Sequence, residues 1–164
     1  MLHNILTLAG AALVPLVLGT IWYNPKVFGT AWQNAAGLTD EKLKGANMPL
    51  IFGVSIFLSF LLAVTVIVLT IHQTHVGSLF QGDTSAEGKT FLENFMAAYG
   101  DRFRTFKHGA LHGFLAGIFF VLPVLGTGAL FERKGFRYIA INVGYWTLCL
   151  TLMGGIICQF LKLG

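Results

Sequence analysis

The 164-residue sequence predicts an all-α protein: a bundle of four transmembrane helices with an additional interfacial amphipathic helix. Hydrophobic residues make up 55% of the chain and charged residues only 11%, whereas a typical soluble domain is about 25% charged. Four apolar stretches reach the length of about 20 residues that a helix needs to cross a bilayer. The alternating pattern of a membrane β-barrel is absent, so helices are the expected spanning element.

The four predicted spans cover about residues 2–23, 48–71, 106–131 and 138–161. The first span lacks the basic n-region and the small-residue cleavage site of a signal peptide, so we expect it to be retained. The link between the third and fourth spans is short, which makes these two helices antiparallel neighbours. We therefore expect one integral membrane domain over residues 1–164.

Two shorter helices are predicted in the links. Residues 86–99, between the second and third spans, place Phe91, Phe95 and Tyr99 on one helical face. This amphipathic helix should lie on the membrane surface or against the end of the bundle, and the pattern does not separate these alternatives. In the first link, residues 39–45 have acidic residues early and a glycine at the end, which predicts one short capped turn of helix.

Four spans place both termini on the same side of the membrane. The 11 Lys and Arg residues divide six to five between the two sides, which does not decide the orientation. The uncharged N-terminal flank and the basic link at residues 132–137 favour both termini on the outer side.

A glycine stripe runs along the third span, where Gly109, Gly113 and Gly117 are four residues apart. Such a stripe lets another helix approach closely, either a helix of the same bundle or one of another subunit. If the stripe is internal packing, a docking surface is expected on the second span, among Phe52, Ser55, Phe57, Ser59 and Phe60.

All five histidines of the chain are expected on one side of the membrane. His72 and His75 end the second span, and His108 and His112 are i, i+4 neighbours at the start of the third. Four imidazoles from adjacent helices could bind a metal ion, ligate a haem or relay protons. We favour the interpretation that they are amphipathic rings at the bilayer interface, and we expect no cofactor.

Aromatic and polar residues mark the opposite membrane surface. On the fourth span, Asn142, Tyr145 and Trp146 share one helical face. They should lie beside the end of the first span, where Pro25 stops the helix and aromatic rings prefer the membrane–water boundary. The two regions could form a structural clasp or line a small-molecule pocket. The boundary residues of the first span are Trp22, Tyr23, Asn24, Pro25, Phe28 and Trp32.

The first of these motifs can be written Gly19-x-x-Trp22-Tyr23-x-Pro25-x-x-Phe28-Gly29-x-x-Trp32. It resembles the start of domain of unknown function 1761, a family of small bacterial integral membrane proteins. The resemblance continues at His112-Gly113 and Asn142-x-x-Tyr145-Trp146, and it covers nearly the whole chain. It implies a four-helix protein of the bacterial inner membrane and implies no reaction. The second link is longer here than the resemblance leads us to expect.

The interior of the four spans contains no Asp, Glu, Lys or Arg, which disfavours proton pumps and ion-coupled transporters. No nucleophile-elbow, zinc-protease, Walker or Rossmann pattern is present, so we expect no enzyme. The net charge of +4 is spread over short links and does not indicate nucleic-acid binding. The leading prediction is a non-catalytic accessory subunit, with the lipid bilayer and other integral membrane subunits as partners. The alternatives are a small transporter or channel acting as a homo-oligomer, with Asn142, Tyr145 and Trp146 lining its path, and a metal- or haem-binding subunit.

Overall fold

Helices account for all the regular structure of the computed structural model, which describes residues 1–163. Four of these helices are long and apolar enough to cross a membrane, as the sequence predicts, and we label them α1, α4, α7 and α8. Within the described range no strand occurs, which agrees with the predicted all-α class. The eight helices are α1 (Leu2–Trp22), α2 (Thr30–Ala36), α3 (Asp40–Lys44), α4 (Met48–Thr70), α5 (Gln73–Leu79), α6 (Ala86–Tyr99), α7 (Phe106–Phe131) and α8 (Phe136–Phe160).

The helix ends agree with the predicted boundaries to within two residues. α1 and α4 each end one residue early, α8 begins two residues early, and α6 covers the predicted range. The short turn in the first link is α3, whose N-cap residue Thr39 accepts a hydrogen bond from the backbone N–H of Lys42. α2, α5 and two π-helical turns were not predicted.

Both π-helical turns lie beside a proline. The first is Pro25–Gly29, where the Asn24 side chain accepts a hydrogen bond of 2.9 Å from the Lys26 N–H. The second is Gly117–Val121, inside α7 and two residues before Pro123. Inside α7, Pro123 lacks an N–H and its ring collides with the carbonyl four residues earlier, so a locally wider turn accommodates it. Pro25 instead occupies the first position of its turn, where a missing N–H is tolerated.

α8 is the central helix of the molecule. Of its most apolar window 61% is buried, against 22% or less for the other three long helices. Two free cysteines, Cys149 and Cys158, are buried along it and do not pair with each other. The main core joins α8 to α1 and α4, and it consists of Ala11, Ala12, Ala63, Val66, Ile71, Leu150, Met153, Ile157 and Leu161.

α4 joins this core only through its second half. Ser59, Ala63, Val66 and Thr70 are buried there on one face. From residue 48 to residue 58 every side chain is exposed except the half-buried Ser55. α4 therefore stands away from the other helices over about its first three turns.

The two ends of the bundle differ in chemistry. We call the end that holds Trp22 and Asn142 the aromatic end, and the end that holds His72 and His108 the histidine end. α1, α7 and α8 run from one end to the other, and the packing of α1 and α7 against α8 links the two chemistries.

Candidate functional site

Polar side chains connect α1 to α8 at the aromatic end. The Tyr23 hydroxyl donates a hydrogen bond of 3.0 Å to Asn142 Oδ1, and Asn142 Nδ2 donates to the Tyr138 carbonyl oxygen at 2.8 Å. Trp22 Nε1 donates to the carbonyl oxygen of Ile141 at 3.1 Å. Because each of these polar groups has a partner within the pair of helices, we call the arrangement the α1–α8 clasp.

Tyr145 extends the clasp toward the middle of the bundle. Its hydroxyl donates to the carbonyl oxygen of Pro15 at 2.6 Å, and its ring centroid lies 5.0 Å from that of Tyr23. Gly144 makes room for the Trp22 ring, because a Cβ at this position would lie 3.2 Å from the indole. The Tyr145 hydroxyl and Asn142 Oδ1 are thus engaged in contacts between α1 and α8, and Asn142 Nδ2 bonds within α8.

The other predicted aromatic residues pack around the same point. Trp32 meets Tyr23 edge to face at 5.3 Å, and Phe28 lies 4.6 Å from Trp22. Trp146 is half-buried and contacts only its neighbour in this group, Tyr145, at 5.1 Å between ring centroids. Asn24 and Pro25 shape the π-helical turn.

The glycine stripe of α7 lies against α8 of the same chain. A Cβ on Gly109 would overlap the carbonyl oxygen of Gly154, and a Cβ on Gly113 would overlap that of Leu150. A Cβ on Gly117 would overlap the side chain of Thr147. The stripe is therefore covered and does not offer a docking surface for another subunit.

α8 contributes its own small residues to this contact, which sequence reasoning missed. A Cβ on Gly154 would overlap the Gly109 carbonyl oxygen, and one on Gly155 would overlap the ring of Phe106. A Gly-Gly pair inside a span is itself a signal of close helix packing.

Three histidines converge at the histidine end. The ring nitrogens of His72, His108 and His112 that could bind a metal all lie within 4.8 Å of one another. Nε2 of His72 lies 3.0 Å from Nε2 of His108. The His112 ring centroid is 4.9 Å from that of His72 and 4.6 Å from that of His108. We call these three residues the histidine triad.

His75 does not join the triad, which corrects the predicted set of four. α4 ends at Thr70, and α5 carries His75 to a position where its Nε2 lies 2.9 Å from the Val68 carbonyl oxygen. His3 is likewise separate, with Nε2 at 2.7 Å from the carbonyl oxygen of Phe160.

Gln73 fixes the chain beside the triad. This side chain is 6% exposed, and its Nε2 donates to the carbonyl oxygens of Tyr99 and Arg102, each at 2.8 Å. The end of α4 is thereby tied to the loop that leads into α7. Sequence reasoning did not select Gln73, although a buried amide directly after a span must find partners.

The same loop is held to α8 by Arg104, which donates to the carbonyl oxygens of Cys158 and Leu161. Burial lowers the pKa of the Arg104 guanidinium, which remains a cation because its ordinary pKa is so high. Between these anchors Phe103 has a φ of 64°, and its ring stacks on His108 at 5.1 Å. Nothing in the sequence pattern marked Phe103.

Two shallow grooves flank the triad. One of about 430 Å³ lies at the end of the bundle and includes His72, Arg102 and Phe103 in its lining. The other, of about 360 Å³, lies on the flank formed by α4 and α7, and it includes His112 and Phe119. The triad is thus accessible from two directions.

Over residues 6–158 the chain matches the model of a family described as protein of unknown function (DUF1761). No curated protein and no solved structure matches the chain. The matched range includes the α1–α8 clasp, the glycine stripe and the histidine triad.

Proposed function

The chain belongs to the DUF1761 family, and we propose that it is a non-catalytic accessory subunit of a larger membrane complex. In this proposal the four long helices cross the bacterial inner membrane as one bundle, with both termini on the outer side. α6 lies at the membrane surface beside α5, where the Phe91 ring stacks on Phe80 at 5.1 Å and its exposed part contacts lipid. The mean hydropathy of the four helices, from 1.5 to 2.7 in their most apolar windows, supports the membrane location.

The absence of an evident catalytic or transport apparatus in the spans supports a non-catalytic role. The interiors of the long helices contain no charged side chain. The polar residues that could have lined a path, Asn142 and Tyr145, bond instead to Tyr23 and Pro15. A channel or transporter that uses these residues is therefore not favoured.

The first half of α4 carries the proposal. The large apolar side chains of residues 48–58 are 42–61% exposed, so no helix of this chain covers them. Gly53 has open space around it, since a Cβ there would meet no atom within 4 Å. Small residues such as Gly53 and the half-buried Ser55 let a transmembrane helix of another protein approach closely. Phe52 and Phe57 lie beside these two small residues, and Phe57 is 61% exposed. Ser59, by contrast, is buried in the core.

Site-specific photo-cross-linking in native membranes tests this proposal. A photoreactive amino acid at Phe57 should cross-link to another integral membrane protein, whereas one at Val17 on α1 should not. The two positions are matched, with exposures of 61% and 60%. Gly53→Leu should reduce the cross-link and the co-purification by about ten-fold, which corresponds to ~1.4 kcal/mol.

Gly10→Leu is the matched control, because Gly10 also lies on an exposed face of a long helix, where an added Cβ would meet no atom within 4 Å. It should leave the cross-link at Phe57 unchanged. A cross-link only to a second copy of the chain would replace the subunit proposal with a homo-oligomer. No protein cross-link at all would mean that lipid alone covers the first half of α4.

A further inference from the structure

We propose that His72, His108 and His112 form a binding site for one divalent transition-metal ion at the histidine end. The site is independent of the first half of α4 and of the complex proposed above. The proposal rests on the convergence of three imidazoles within 4.8 Å and on the contacts that hold the surrounding segments in place.

The spacing in α7 explains why two of the ligands converge. His108 and His112 are one helical turn apart and so share a face. Gly109 and Gly113 each follow a histidine by one residue, about 100° further round the helix, and they press α7 against α8. The histidine face is thereby directed at the end of α4, where His72 lies.

The other two histidines show what an ordinary interfacial histidine does in this protein. A ring nitrogen of His75 and one of His3 each lie at hydrogen-bond distance from a backbone carbonyl oxygen, that of Val68 and that of Phe160. The triad behaves differently, because its polar edges face one another. Nε2 of His72 and Nε2 of His108 are 3.0 Å apart, so one of them carries the proton and donates while the other accepts.

The donor set selects the class of metal. Three imidazoles without a carboxylate or thiolate in the group suit Zn²⁺, Co²⁺, Ni²⁺ or Cu²⁺, and they do not suit Mg²⁺ or Ca²⁺, which take oxygen ligands. Zinc binds imidazole nitrogen at about 2.0–2.1 Å, and three histidines leave one coordination position open. The three ring nitrogens already lie within 4.8 Å of one another, and in the proposed site the rings would rotate to place them at that distance from a common ion.

A haem held between two of these histidines is disfavoured by the same contact. The two axial imidazoles of such a haem lie on opposite faces of the macrocycle. The Nε2 atoms of His72 and His108 are at hydrogen-bond distance, so a haem between these two residues would require their rings to move apart.

An aromatic ring covers one side of the triad, and a groove leaves another side accessible to an ion. The Phe103 ring covers His108 on one side. Arg102 directs its guanidinium over the rings of Tyr99 and Phe103, at 5.6 and 5.2 Å from their centroids. The groove beside His72 provides a route of entry from the end of the bundle.

Cobalt titration of the full chain tests the site. The protein is purified in mild detergent without a polyhistidine tag, stripped with a chelator and titrated with Co²⁺. We expect one Co²⁺ per chain, with the intense visible bands of a low-coordinate nitrogen site, and displacement of Co²⁺ by Zn²⁺. Substitution of a residue that only hydrogen-bonds to a metal ligand already lowers metal affinity by about ten- to a hundred-fold. Loss of a ligand itself, in His108→Ala or His112→Ala, should therefore weaken binding by at least about a hundred-fold.

His75→Ala and His3→Ala are the matched controls and should retain stoichiometric binding. Circular dichroism and gel filtration establish that each variant is folded. Failure of the wild-type protein to take up Co²⁺ or Zn²⁺ would overturn the proposal, whatever the variants do. Equal binding by the His108→Ala variant and the wild type would also overturn it, as would a Soret band in the purified protein that disappears with His108.

Discussion

The hydroxyl of Tyr23, the residue directly after α1, donates a hydrogen bond to the side-chain oxygen of Asn142 on α8, 3.0 Å away and 119 residues distant along the chain. The same amide donates to the backbone of its own helix, at the carbonyl oxygen of Tyr138. One asparagine thus satisfies both of its polar atoms within the clasp. This pair connects the first and last long helices at the aromatic end.

Tyr23→Phe should destabilise the folded protein by about 1 kcal/mol, because it removes one hydrogen bond between helices. Asn142→Leu should cost more, about 1–3 kcal/mol, because it leaves the Tyr23 hydroxyl without its partner. The double variant measures their coupling, which we expect at about 0.6–1.7 kcal/mol. Unfolding by detergent titration gives these free energies. Tyr99→Phe on the exposed surface of α6 is the control, and a coupling of zero would mean that the bond contributes nothing.

Gly113→Ala should destabilise the monomer by about 1–3 kcal/mol, since the added methyl group overlaps the carbonyl oxygen of Leu150. Gly10→Ala has open space and should be neutral or slightly stabilising. Detergent titration of both variants measures the difference in the free energy of unfolding. If Gly113→Ala were as stable as the wild type, α7 and α8 would not pack as closely as the structure shows.

Arg133→Gly should stabilise the protein by about 0.5–1 kcal/mol. Arg133 has a φ of 60°, in the left-handed region that favours glycine. The following residue donates its N–H to the carbonyl oxygen of Ala129, which closes the end of α7. Gly37 has a φ of 72°, so Gly37→Ala is the opposite test and should cost about 1 kcal/mol. Loss of stability in Arg133→Gly would show that the arginine side chain makes a compensating contact.

Cysteine accessibility in intact cells tests the arrangement across the membrane. Cys149 and Cys158 are buried, so the wild-type protein provides the unlabelled background. Cysteines at Lys89 and Lys162 should react with a membrane-impermeant maleimide added outside, and a cysteine at Lys44 should react only after the cells are opened. Reaction of Lys44 and Lys89 from the same side would contradict the proposed bundle.

The long helices were predictable because each depends on an uninterrupted apolar stretch, and such a stretch is a local property of the chain. The proximity of Asn142, Tyr145 and Trp146 to the end of the first span was predictable for a related reason, since their spacing places them on one helical face, whereas the sequence left open whether the two regions form a clasp or a pocket. These features need only helical geometry and an antiparallel arrangement.

Other features depend on contacts between distant segments and could not be predicted. The sequence leaves the partner of the glycine stripe open between a helix of the same bundle and one of another subunit, and the contact with Gly154 identifies it as α8. His75 was grouped with the other histidines because the sequence does not show how the chain turns after Thr70. Phe103 adopts its left-handed backbone in a loop that Gln73 and Arg104 hold from two sides, and no local pattern encodes this conformation.

The alternation of histidine and glycine in α7 has a consequence for how this helix tolerates change. From His108 to Gly113 two successive turns supply two metal ligands on one face and two close contacts with α8 on another. Any rotation or shift of α7 along α8 therefore displaces both ligands together. The affinity of the triad for cobalt would then report on helix register, so a spectroscopic titration at the end of the bundle would detect a misaligned interior.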